Sequence, residues 1–157
     1  ILHLMIKEVR HVGITVTNMK KSLEFYQNIL GLKIQREMNE SGKHIDNMLS
    51  MKNVSVNTVK MCINDETTLI ELLEFKSHPQ KSNNSNISTI GTSHFALTVD
   101  NLDNIYKKLI ENNIKFNSTP QFSPDGYAKV SFCYDPDGTL IELVQVLDST
   151  VVKKIKN

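Results

Sequence analysis

The pentapeptide TLIEL occurs twice, at residues 68–72 and 139–143, and each copy sets a glutamate, Glu71 or Glu142, among aliphatic neighbours. An ionised carboxylate on an apolar strand face is costly unless a cation or hydrogen bonds offset it. Two histidines recur in parallel: His11 opens HVGITVTNMKKSLEFYQNILGLKI and His94 opens HFALTVDNLDNIYKKLIENNIKF. Imidazole nitrogen and carboxylate oxygen are donors suited to a borderline divalent ion, so His11, Glu71, His94 and Glu142 form a candidate ligand set. A single histidine at a strand start is ordinarily structural, and a single strand glutamate ordinarily meets solvent. The recurrence of both residue types at equivalent places of an internal duplication favours the metal reading, because the bland one must explain each coincidence separately.

The elements that would carry these residues follow from local pattern. Strand parity puts Leu69, Glu71 and Leu73 on one face, and Leu140, Glu142 and Val144 likewise. Each histidine precedes apolar and small residues alternating in β style, then an asparagine, Asn18 or Asn101, that predicts a helix N-cap. Leu23, Tyr26 and Leu30 form the apolar face of the first helix, which Gly31 stops; Ile105, Leu109 and Ile110 form that of the second. Further strands are expected at Leu32–Glu37 and Lys115–Asn117. A hairpin ends each copy, with NDET at 64–67 and DPDG at 135–138 as turns; proline and glycine make the second a strong turn signal.

Each copy therefore reads strand, helix and three strands, an α+β pattern of two βαβββ modules. The first spans 7–75 and the second 92–147, with a polar, aperiodic linker at 76–91 and a tail at 148–157. An insertion, SGKHIDNMLSM at 41–51, reads as a short helix with Ile45, Met48 and Leu49 facing inward. SPDG at 123–126 reads as a loop at the comparable place. Glu74 and its repeat counterpart Gln145 fall on the strand faces opposite the ligands and read as solvent or interface residues.

Composition bounds the function classes. With 157 residues, 39% of them hydrophobic, the chain can build its own core. Lysine and arginine number 18 against 17 acids, a net charge of +1, with no dense basic stretch, which argues against nucleic acid and anionic membranes. No apolar run approaches the length of a membrane span. The opening ILHLMI is too short and too broken for a signal peptide, and the natural start is read as Met5. Cys62 and Cys133 form neither a CxxC metal pair nor a disulfide framework, so reduced thiols and a cytoplasmic location are expected.

HVGITVTNMKKSLEFYQNILGLKI, TLIELLEF, SHFALTVDNLD and DPDGTLIELVQ together resemble the vicinal oxygen chelate superfamily, the glyoxalase, bleomycin resistance and dioxygenase group, over residues 8–147. The resemblance implies two βαβββ modules whose curled mixed sheets form an open cup around one divalent metal. Its ligand positions fall on His11, Glu71, His94 and Glu142, and this His, Glu, His, Glu set matches the glyoxalase I pattern. It also implies a small-molecule substrate and a homodimer, in which the site lies within one chain or draws on both. Bacterial glyoxalase I grips glutathione with an arginine four residues after the first histidine and an asparagine four after the first glutamate. This chain has Thr15 and Phe75 there, which argues against glutathione. Lys43, His44, Asn47 and Met48 of the insertion and the loop from Gln121 to Tyr127 are expected to shape the mouth of the cup.

Two imidazoles and two carboxylates suit Ni, Co, Zn, Mn or Fe(II) and leave open positions for substrate. A substrate with vicinal oxygens could occupy them, and the ion would stabilise the enediolate formed when a proton leaves the neighbouring carbon. The resemblance implies that a ligand glutamate, Glu142 or Glu71, serves as the base. The expected function is a metal-dependent lyase or isomerase of the glyoxalase I or epimerase type. The alternatives are an Fe(II)-dependent dioxygenase using His11, His94 and Glu142, and a non-catalytic small-molecule binding or resistance protein.

Overall fold

An asparagine caps the helix that follows the first strand in each half of the chain. Asn18 accepts at its side-chain oxygen from the Lys21 amide at 3.0 Å, and Asn101 accepts from the Asn104 amide at 2.9 Å. Each bond satisfies one of the first-turn amides that a helix leaves without an internal partner.

A computed structural model describes residues 6–64, 69–82 and 86–147. The chain divides into two units, Ile1–Lys81 and Ser82–Asn157. The first holds β1 (Val12–Thr15), α1 (Met19–Leu23), β2 (Lys33–Ser41), α2 (Lys43–Leu49), β3 (Ser55–Cys62) and β4 (Ile70–Phe75). Its sheet order is β1-β4-β3-β2, with β1 parallel to β4 and the other pairs antiparallel. The second holds β5 (His94–Thr98), α3 (Leu102–Glu111), β6 (Gln121–Phe122), β7 (Ala128–Tyr134) and β8 (Leu140–Val146). Its order, β5-β8-β7-β6, repeats the scheme, again with the first strand parallel to the last.

One face of each sheet is the core. In the first unit Ile14, Val59, Met61, Ile70 and Leu72 are buried on one side of the sheet, and Phe25 and Tyr26 are buried with them. In the second, Cys133, Ile141 and Leu143 are buried together with Leu102 and Leu109 of α3, which packs on β7 and β8. Burying such an aliphatic side chain stabilises by about 1.5–3 kcal/mol. A one-residue slip of β4 would exchange Ile70 and Leu72 for Glu71, so core burial also fixes which way the glutamate points.

Several expectations need correction. Past Leu23 the first helix continues as a π-helical stretch, Glu24–Ile29, where the Leu30 amide donates to the Phe25 carbonyl at 2.9 Å. The wider turn moves the buried face onto Met19, Ser22, Phe25 and Tyr26, and leaves Leu23 and Leu30 half-buried; Gly31, at φ 84°, ends the helix as expected. In α3, Leu109 is buried but Ile110 is exposed, and Leu102 joins the buried face. The strand expected at Lys115–Asn117 is reduced to one bridge between Phe116 and Cys133. The outer pairing partner of β7 is β6, inside the stretch expected to be loop. Helix α2 forms where expected and buries Ile45, whereas Met48 and Leu49 are exposed. Gln145 is not a solvent residue: its side-chain oxygen accepts from the Leu102 amide at 2.9 Å, adding a second cap to α3. Glu74 is largely covered and pairs with Lys76 at 2.7 Å.

At the DPDG turn, Asp135 accepts from the amides of Asp137 and Thr139 at 2.9 and 2.7 Å, and Gly138 takes φ 93°. The first turn, most of NDET, lies outside the described residues, as do residues 1–5, which include Met5, and the tail from 148. No helix or strand forms among the described residues of 76–91.

Candidate metal centre

Each unit brings one histidine and one glutamate together on the sheet face away from its helix. In the first, His11 directly precedes Val12, whose β4 partner is Ile70, and Glu71 follows. His11 Nε2 lies 2.9 Å from Glu71 Oε2. In the second, His94 pairs with Leu140 across parallel strands and Glu142 stands two residues further on, with His94 Nε2 3.3 Å from Glu142 Oε2. Parallel pairing of a first strand with a last strand thus generates the same His–Glu juxtaposition in both units. Glu71 and Glu142 are both partly covered, their side chains 15% and 24% exposed.

Spacing is the test of whether these pairs suit a metal. With ligand bonds of about 2.1 Å, adjacent donor atoms on an octahedral or tetrahedral ion stand roughly 3.0–3.4 Å apart. The separations are 3.3 Å in the second pair, within that range, and 2.9 Å in the first, just below it and equally a hydrogen-bond distance. His11 Nδ1 is buried and lacks a hydrogen-bond partner among the described residues, so Nε2 carries that ring's polar interactions. Neither pair is joined by a third His, Cys, Asp or Glu among the described residues. Each is therefore a two-donor pair, imidazole and carboxylate, of the kind that suits a borderline divalent ion.

The two His–Glu pairs differ in their cross-strand neighbours. Lys60 of β3 is in register with Glu71, and its Nζ lies 3.6 Å from Glu71 Oε1. The equivalent β7 residue, in register with Glu142, is Phe132, whose ring meets His94 edge-on at 5.3 Å between centroids. Neither Lys60 nor Phe132 was picked out from sequence. The signal exists in the hairpin register, but reading it requires the exact turn length between β3 and β4.

The remaining expected site residues are spread more widely. Thr15 lies on β1 and Phe75 packs, half-buried, against the cluster of Ile45, Val54 and Val56; both line a cavity of about 110 Å³ with Glu74, Lys76 and His78. Lys43, His44, Asn47 and Met48 are exposed on α2. Around 123–127, Asp125 accepts from the Ser123 hydroxyl and the Tyr127 amide, and these bonds hold its carboxyl below the usual range. A cavity of about 820 Å³ in the second unit is lined by Lys115, Asn117, Tyr134 and the DPDG turn, with neither His94 nor Glu142 among its walls. The register and donor chemistry, rather than a cavity, single out the two His–Glu pairs as the candidate site.

Residues 8–143 match the family described as the Glyoxalase/Bleomycin resistance protein/Dioxygenase superfamily. The chain is 29% identical over 140 residues to glyoxalase I of Saccharomyces cerevisiae, a match covering 85% of this chain but only 42% of the yeast protein. It is also 29% identical over 140 residues to the uncharacterized protein YaeR of Escherichia coli, covering 89% of this chain and 97% of YaeR. Among solved structures, a glyoxalase family protein from Bacillus cereus superposes with a TM-score of 0.80 at 19% identity, over 93% of this chain and 99% of that one, a likeness of fold.

Proposed function

Because this chain belongs to the glyoxalase/bleomycin resistance protein/dioxygenase superfamily, we propose that it is a divalent-metal-dependent lyase or isomerase that moves a proton on a carbon next to a carbonyl. His11, Glu71, His94 and Glu142 are the proposed ligands of one ion: Ni, Co, Zn, Mn or Fe. The observation that carries this reading is the repeated His–Glu pair, built at the same register offset in both sheets and spaced as neighbouring ligand atoms are. A bound divalent ion would supply Lewis-acid stabilisation of the negative charge that develops on the substrate oxygen.

The chain's own residues supply the proton chemistry. A carboxylate takes the proton from carbon and returns it to the neighbouring atom or the opposite face. Glu142 is the better base of the two. Glu71 is held by both the His11 imidazole and the Lys60 ammonium, whereas among the described residues Glu142 pairs with His94, and its neighbour Phe132 is apolar. A carboxylate with fewer partners swings more readily between holding and proton transfer. Phe132, Val130 and Val144 share its sheet face, an apolar surround that would exclude water and suit an organic acid, ketone or thioester. The reading includes a homodimer acting on a small molecule. The buried, unpaired Cys62 and Cys133 suit a reducing cytoplasm.

The test is turnover of hemithioacetals, acyl-CoA thioesters and hydroxyketones in deuterated water with Glu142→Gln and Glu71→Gln. The wild type should incorporate solvent deuterium at the carbon next to the carbonyl, and both variants should lose turnover. Full activity in both would eliminate the mechanism.

A further inference from the structure

Cross-strand register aligns Glu71, Lys60 and Arg36 in one row of the first sheet, from β4 through β3 to β2. All three stand on the face that bears the His11–Glu71 half-site. Two cations directly opposite one another across antiparallel strands repel, and a sheet does not adopt that pairing for its own stability. The fold does not demand it either, since the position equivalent to Lys60 in the second sheet is Phe132. Among the described residues of β2, the next carboxylate on this face is Glu40, four residues beyond Arg36, and it accepts from the Thr58 hydroxyl at 3.2 Å. Glu37, between them, falls on the opposite face, where it accepts from Asn57. Lys60 is three-quarters covered, its side chain 23% exposed, while Arg36 stands exposed at the outer end of the row.

We propose that Lys60 and Arg36 are the substrate-anchoring residues of this site, and that the substrate carries an anionic group, carboxylate or phosphate, that docks on this row beside the metal half-site. The inference rests on the reading of Glu71 as a metal ligand: with that carboxylate given to the ion, the row is left with two cations and no counter-charge. An arginine at the rim offers a planar fork for an oxyanion and a lysine deeper in offers a point charge, so the pair grips one anionic group from two directions.

The experiment uses the metal-free full chain and two probes, inorganic phosphate and acetate, titrated separately at constant ionic strength while backbone amide shifts are followed by NMR. Saturable shifts centred on residues 36, 60 and 71 are expected. Affinity should fall at least about fivefold in Lys60→Met and in Arg36→Met, be retained in Lys60→Arg, and rise in Glu71→Gln, where the competing carboxylate is gone. Tighter phosphate binding assigns a phosphoryl substrate and tighter acetate binding a carboxylate. Absence of saturable shifts, or equal affinity in wild type and both methionine variants, overturns the proposal. Arg36 is exposed, so its variant stays informative even if Lys60→Met fails to fold. Metal content measured on the same full chain after separate reconstitution with divalent metal separates the two claims: anion binding without metal uptake would leave this row standing and remove the metal reading, and the reverse would do the opposite.

Discussion

The ring of Phe132 meets the imidazole of His94 edge-on at 5.3 Å, and the same phenylalanine is the cross-strand partner of Glu142. One apolar side chain thus braces His94 and stands in register beside Glu142. Replacing Phe132 by leucine removes an edge contact between rings worth about 0.5–1.5 kcal/mol. Denaturant unfolding should register a loss of roughly 1 kcal/mol, and metal affinity should weaken with it as His94 gains freedom. Unchanged stability and unchanged affinity would show that Phe132 braces nothing.

The two histidines are predicted to matter equally, because register gives them equivalent places. His11→Ala and His94→Ala should each weaken metal affinity at least about tenfold, or 1.4 kcal/mol, in competition against a chelating dye. An effect in one variant only would break the equivalence on which the ligand set rests.

The outline of this arrangement was legible in the sequence because it rests on local rules. The asparagine caps, the DPDG turn, the α2 helix and the parity of Glu71 and Glu142 each depend on a few adjacent residues. What escaped were features set by non-local register or by backbone irregularity. The π-helical stretch at Glu24–Ile29 shifted the buried face because nothing in its composition announces an extra residue per turn. The second strand of the second unit moved from Lys115–Asn117 to Gln121–Phe122 because both segments alternate weakly and only pairing with β7 selects between them. Lys60 and Phe132 stayed hidden for the same reason, each defined by the residue it faces on another strand.

Asp46 holds the insertion against the first sheet. Its two carboxylate oxygens accept from the amides of Asn53 and Val54 at 3.0 and 2.8 Å, tying α2 to the start of β3 and closing the cluster of Ile45, Val54 and Val56. Asp46→Ala leaves both amides without that partner, and a cost of about 1–3 kcal/mol is expected, seen as a lower Tm. A Tm equal to that of the wild type would mean that water replaces the carboxylate without loss.

Burial, and secondarily the nearby Asp135 carboxylate, pushes the Cys133 thiol up from its ordinary 9.0 to about 12. The native state therefore holds this proton more tightly than the unfolded chain. The contribution to stability is fully present below pH 9 and is lost as pH rises through about 12. Two results follow: native protein at pH 8 should resist iodoacetamide at Cys133 until denaturant is added, and Cys133→Ala should flatten part of the stability loss between pH 9 and 12. Rapid alkylation of the native protein would contradict this placement of the thiol.

The most direct test of the central claim is the elemental content of the purified full chain, taken by plasma mass spectrometry as isolated and again after anaerobic reconstitution. The account predicts close to one divalent ion per chain, whether the two His–Glu pairs meet within a chain or between two, and loss of that ion when Glu71 and Glu142 are both changed to glutamine. No stoichiometric metal under either condition would mean that the two pairs are ion pairs of the fold alone, and that the chain performs no metal chemistry through them.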